Sequence, residues 1–521
     1  MKTLISVALL SACLVTASSA NPGPASAADD HLGKVEFATT CSAAAQPLIE
    51  KGAALLHSFQ YLQSENTFAE AAKQDPNCAI AHWGMAMALY HQLWDFPDKK
   101  RLETGHKELD RAKKQKNISA REKGFLESAS VFFQKSGKLD EKARIAAYSA
   151  AMEKWYASVP GDVEVGSFYA LSLVALAYQE DSVKALELRR KAIAVLNPLF
   201  ERNPDHPGVA HYLIHAADEQ SLAPEGLAAA RRYAAIAPDS SHAIHMPSHI
   251  FVRLGMWQDS IKSNIAAQAA GARAAEAHQA ESHYQTHAMD FLNYSYLQSG
   301  QEAKAQAVIM DEHHVVGATD KSTKEHMDEL NERMAIELHR WKDVSNLADN
   351  FTWARTVGAA RSGDLAVARV GLAQLQAEAK KRAGEKKGNY TGAADIDVQL
   401  REAEAWVGFA EGKTEDALTA LRASAGFEDA HRLDSFNVSA REMLADMLIE
   451  AKRPAEALSE YKTALKNSPG RFNLLVGAAR AATAAHQSDE AHTYYSKLLE
   501  MCGSSGDRPE LAEARTLAAK N

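Results

Sequence analysis

Residues 440–469 read AREMLADMLIEAKRPAEALSEYKTALKNSP. Leu444, Ala445 and Leu448 recur at helical spacing along one apolar face, and Ala457, Tyr461 and Ala464 mark a second face before Pro469 stops the unit. Moving forward by 34 residues places Ala491 and Tyr495, in HQSDEAHTYYSKLLE, where Ala457 and Tyr461 stood. A fixed period of that size means stacked helical hairpins, each burying against its neighbour an apolar face that it cannot bury alone.

The unit resembles the tetratricopeptide repeat, in which small residues let two helices pack closely. The same punctuation recurs in TFAEAAKQDPNCAIAHWGMAMAL (67–89), GDLAVARVGL (363–372) and GKTEDALTAL (412–421). No stretch alternates as a strand would, so the expected fold is an all-α solenoid of about nine to eleven hairpins with a concave groove. The expected organisation is an amino-terminal array over 41–310 carrying a histidine-rich groove, an irregular helical middle and linker over 311–395, and carboxy-terminal repeats over 396–521. EHHVVGATDKSTKEH (312–326) reads as a loop and KKRAGEKKGNYTGAAD (380–395) as a connector.

The chain has 521 residues, 46% of them apolar, and a formal net charge of −9 without a long basic stripe. Nucleic acid is therefore not an expected partner, since phosphate binding needs clustered Lys and Arg. The first 27 residues have the layout of a signal peptide, with cleavage after Ala20 or Ala27, and 28–40 reads as a disordered linker. Leu4–Val15 is too short to span a bilayer, and no later run is long and apolar enough. A secreted or periplasmic protein is expected, with lipid attachment at Cys13 as the alternative. In an oxidising compartment Cys41 and Cys78 can pair across the first hairpin; spacing does not decide it.

The chemistry concentrates in the histidines. Nine of the 21 lie between His206 and His287, about a sixth of the chain. In the repeat frame, Pro207 is position 1, so His211 and His215 take positions 5 and 9, with Asp218 and Glu219 at 12 and 13. Ser241 opens the next unit, placing His242, His245 and His249 at 2, 5 and 9 and Arg253 at 13; in the third unit His287, Asp290 and Tyr294 take 2, 5 and 9. Resemblance to the repeat family implies that these positions line the groove. Residues four apart on a helix lie about 5–6 Å apart at Cβ, so His211/His215 and His245/His249 can each chelate an ion. Pro247 interrupts the helix between His245 and His249.

Two readings stay open at this level. In one, His211, His215, His242, His245, His249, His287 and Asp290 hold a transition metal, mononuclear or dinuclear. Zn, Cu, Fe and Ni are not distinguished, and Asp218 or Glu219 serves as catalytic base in a hydrolase or oxidase. In the other, the groove is a metal-free polar surface gripping a peptide or envelope protein. Further candidate groove contacts are His57, Trp83, His91, Arg253 and Tyr294. HYLIHAAD (211–218), HAIHMPSHIFVRLGMW (242–257), DPNCAIAHWGMAMAL (75–89) and SPGRFNLLVGAARAA (468–482) together resemble a family of exported bacterial tetratricopeptide-repeat proteins. That resemblance implies a fold and a shared histidine surface rather than a reaction. No phosphate-cradling glycine loop, nucleophile elbow or dinucleotide fingerprint is present.

Overall fold

The computed structural model describes residues 31–134, 139–277, 282–345, 347, 350–383, 390–431 and 438–518. Over these residues the chain is helical, from Gln46–His57 to Glu510–Ala518, with no strand among them. Consecutive helices pack as hairpins, and the helices that open successive hairpins also touch, as Gln46–His57 does Ala79–Ala88 and Val163–Ala177 does Pro207–Ala217. This is the expected all-α solenoid. The quoted unit shows why small residues set its period. Tyr461 is buried against the next helix, where a Cβ on Gly477 would lie 2.4 Å from its ring.

The apolar core divides into three main bodies. One runs from Leu32 to Phe251, a second from Ile261 to Met334, and a third from Ala335 to Ala514. The breaks at 251–261 and 334–335 differ from the expected ones at 310 and 395. The cause lies in the expected loop, which contains a helix, Asp320–Glu337, started by the Thr319 side chain accepting from Ser322 N. Buried Leu330 and Met334 give that helix an apolar face. The expected disordered linker also differs over its described part. Leu32, Val35 and Phe37 are buried, and Lys34 N donates to Asp205 O at 3.0 Å, so this segment is an extended strap on the core. Cys41 and Cys78 form a disulfide; Cys502 is free and buried. The expected leader lies outside the described residues. No helix among those described is long and apolar enough to cross a membrane.

The stack does not leave the histidine face open. The first five hairpins come round far enough for Gln46–His57 to lie against Pro207–Ala217. The carboxy-terminal repeats dock on the middle of the chain: Trp257 Nε1 donates to Gly470 O (2.7 Å), Arg471 donates to Tyr294 Oη (2.9 Å) and Glu337 (2.7 Å), and Asp507 N donates to Gly300 O (2.8 Å). Four of the groove histidines are only 0–5% exposed: His211, His215, His242 and His245. A concave histidine-lined groove was the expectation; most of its histidines prove to be buried within the stack.

Candidate metal centre

Four helices, in three successive repeats, supply six imidazoles. Pro207–Ala217 is started by the His206 ring, whose Nδ1 accepts from Val209 N, and Pro207 fits its first turn because no intrahelical acceptor exists there for the missing N–H. It presents His211 and His215 on one face. The next repeat opens with Ser241–His245 and restarts at Pro247–Arg253. Met246 keeps helical angles between the two pieces, so Pro247 breaks the hydrogen-bond ladder without turning the chain aside. His287 comes from His283–Gln298.

The rings sort into two trios. His211, His215 and His242 each offer a ligand atom within 4.8 Å of the others, as do His245, His249 and His287. Thus His242 joins the preceding repeat's pair, and His287 joins the pair that straddles Pro247. The trios adjoin, with ring centroids 6.3 Å apart for His215–His249 and again for His242–His245. The first trio is buried throughout, whereas His249 is half-buried and His287 exposed.

Hydrogen bonds behind the rings determine which nitrogen faces inward. His211 Nδ1 donates to the His57 carbonyl (2.6 Å), His245 Nδ1 to Asn264 Oδ1 (2.7 Å) and His249 Nδ1 to Asp218 Oδ2 (2.9 Å). Asn264 is itself oriented by Nδ2 donating to Ser260 O (2.8 Å). All three partners are acceptors, so all three rings are Nδ1–H tautomers whose Nε2 lone pairs point inward, the arrangement metal-ligating histidines adopt. His245 Nε2 and His249 Nε2 then stand 3.0 Å apart, and His211 Nε2 and His242 Nε2 3.1 Å. Two imidazole nitrogens sharing a tetrahedral ion at about 2.0–2.1 Å would lie about 3.3 Å apart. With both rings neutral, facing lone pairs at 3.0 Å call for a cation between them, a proton or a metal ion.

His215 separates these two. It is 2% exposed, and neither ring nitrogen has a hydrogen-bond partner in the protein. A buried, unpaired imidazole costs about 1–3 kcal/mol unless something fills its lone pair. Burial pushes His211 down to about 3 and holds His215, His242 and His245 well below the usual imidazole range. These rings are neutral at physiological pH, as ligation requires.

Aromatic side chains wall the centre. Phe59 lies 4.4 Å from His211 and stacks at 5.6 Å on both His215 and His242. It sits in the turn after Gln46–His57 with φ at 56°, a left-handed conformation that a bulky residue adopts only when its surroundings impose it. Phe291 lies 4.7 Å from both His245 and His249. Trp94, 41% exposed, stands 5.8 Å from His215 and 5.9 Å from His242.

The remaining candidates take other places. Asp218 accepts from His249 Nδ1 and from Arg253 Nε (2.9 Å); burial pushes its carboxyl up, but the Arg253 charge and the His249 hydrogen bond outweigh that and hold it well below its usual value. Asp290, expected as a ligand, is paired with Arg333 at 2.5 Å and belongs to neither trio. Glu219 accepts from the Ser221 backbone N (2.8 Å), outside the trios. Trp83 is 1% exposed among Phe37, Phe125 and Phe168 and offers no face to a ligand, because its helix is sandwiched inside the core. His91 stacks on Tyr61 at 4.0 Å and donates to Asp95 (2.8 Å); Tyr294 accepts from Arg471 in the carboxy-terminal contact.

His57 belongs to a third group, with Glu164 and His206, all buried. Its Nε2 donates to Glu164 Oε2 (2.8 Å), His206 Nε2 donates to Oε1 (2.9 Å), and His57 Nδ1 accepts from Tyr212 Oη (3.0 Å). Burial pushes Glu164 up, but the two imidazoles outweigh it and hold the carboxyl well below its usual range. Every ring nitrogen here has a protein partner, in contrast with His215. The group braces the His57 carbonyl that orients His211, and Gly208 permits the close approach, since a Cβ there would meet His57 Nδ1 at 2.2 Å. Asn264, Glu164 and Phe59 carry no metal-site pattern in the sequence; only the three-dimensional approach reveals them.

Among solved structures, the chain is similar to a human IFIT1 dimer with m7Gppp-AAAA (13% identity, 90% of this chain and 92% of that one, TM-score 0.37). It is also similar to the P58(IPK) TPR domain (13% identity, 92% and 99%, TM-score 0.20). No curated protein matches at the sequence level. Residues 448–501 match the tetratricopeptide-repeat family model, and the described residues form an all-α solenoid of helical hairpins.

Proposed function

We propose that this chain is a transition-metal protein whose centre lies at the two histidine trios. The observation that carries the reading is His215, buried with two unpartnered ring nitrogens beside His211 and His242. The inward-facing Nε2 atoms of His211, His245 and His249, each clamped from behind, support it. Asp218 acts as a positioning residue, holding His249 in its tautomer while Arg253 balances the charge. Asp290 is assigned no ligand role, and Glu219 no catalytic one. An exported location is part of the proposal, in keeping with the leader layout and the Cys41–Cys78 disulfide. The match of residues 448–501 favours protein docking by the carboxy-terminal repeats, a role separate from that of the histidines. Elemental analysis of the untagged protein tests the reading. Tightly held metal that falls in His245→Ala/His249→Ala, with only the His211, His215 and His242 share retained, is expected; a fully folded protein that takes up no transition metal overturns it.

A further inference from the structure

We infer that the six imidazoles hold a pair of copper ions, cuprous at rest, and that the pair takes up dioxygen. The inference rests on the metal reading above and adds the number, the identity and the ligand.

The number follows from the partition. Each trio is complete in itself, with three donor atoms within 4.8 Å, and the two trios adjoin at two separate ring pairs 6.3 Å apart. Six imidazoles around a single ion would have to converge on one point. Instead the closest nitrogen pairs, His211–His242 and His245–His249, mark two points.

Identity follows from charge. Neither trio includes a carboxylate or thiolate. The carboxylates beside them are already matched, Asp218 by Arg253 and Asp290 by Arg333. Two divalent ions would therefore place four positive charges among neutral rings and aromatic walls, and uncompensated buried charge is among the costliest arrangements in a protein. Of the metals that imidazole suits, zinc, copper, iron and nickel, only copper has an ordinary monovalent form. Two cuprous ions halve the charge.

The ligand follows from the same accounting. Dioxygen bridging the pair takes one electron from each ion: two Cu(I) become two Cu(II), O2 becomes peroxide, and the O–O bond order falls from two to one. No proton is needed, and the total charge of the centre stays at +2. Exposed His287 and Trp94 mark the side open to a small molecule.

The test uses the full chain, stripped of metal and loaded anaerobically with Cu(I) or, separately, with Zn(II). Two coppers per chain are expected in the wild type and one in each of His242→Asn and His287→Gln. On admitting air, a near-ultraviolet charge-transfer band without a copper EPR signal is expected in the wild type and in neither variant. X-ray absorption of the loaded wild type should show copper–copper scattering, a readout that does not depend on the variants folding. One copper per chain, absence of the oxygen-dependent band, or tighter binding of zinc than of Cu(I) overturns this inference and leaves the metal reading standing. No uptake of either metal by folded protein overturns both.

Discussion

His215 and Asp218 turn the centre into measurable differences. In metal-free protein the His215 ring is buried with nothing to bond, so His215→Leu should make that form no less stable and up to about 1–3 kcal/mol more stable. Loading metal should reverse the order. Denaturant melts of both proteins, with and without metal, check this; a metal-free variant that is markedly destabilised would contradict the idea that His215 awaits a ligand. Asp218→Asn removes the carboxylate charge that holds His249 in its tautomer, so metal affinity should fall about 10–100-fold, measured by chelator competition. At this scale much was legible in the sequence. The i,i+4 spacing put His211 with His215 and His245 with His249, and the repeat frame put His242 and His287 beside them. The assignment of His242 to one trio and His287 to the other was not legible, because it depends on ring directions across helices. Nor was Asp290's pairing with Arg333, 43 residues further on.

At the scale of elements, the decisive contact is between Gln46–His57 and Pro207–Ala217. Gly208→Ala would push its methyl into the His57 ring, shifting the carbonyl that orients His211. Overpacking of this kind costs about 1–3 kcal/mol; the expected result is loss of stability together with weakened metal uptake, read by melts and chelator competition. A second element pair carries a pH signature. Glu402, on Tyr390–Ala410, is 2% exposed, and burial together with Glu428, on the next helix, Thr414–His431, raises its carboxyl well above 4.5. The folded state then binds a proton that the unfolded chain has released, so stability falls as pH rises through and above 4.5. The denaturation midpoint should drop as pH rises above about 4.5 in the wild type and stay flatter in Glu402→Gln. The helix periods were legible, and so was the break at Pro247. The start of the Asp320–Glu337 helix inside the expected loop was not, since polar residues fill its first turns and its buried apolar residues, Leu330, Met334, Ala335 and Ile336, come only near its end.

For the whole molecule, three apolar bodies linked in sequence predict unfolding in more than one step. The Cys41–Cys78 bridge closes a 37-residue loop in the first body alone. Reduction should lower the stability of that body by about 3–4 kcal/mol and leave the transition of residues 335–514 in place; calorimetry with and without reductant reads the two separately. The 34-residue period foretold the solenoid but not its closure, because contacts between the first and fifth hairpins, or between Arg471 and Tyr294, leave no periodic trace. The stacking matters most for function: it gathers the histidines into two imidazole trios, the first buried throughout and the second open at His287. The claim that these trios hold metal is tested most directly by an anomalous difference map, recorded at the copper edge on crystals of the loaded protein. Two peaks are predicted, one amid His211, His215 and His242 and one amid His245, His249 and His287. A map from folded, metal-soaked protein with no peak among those six rings would contradict it.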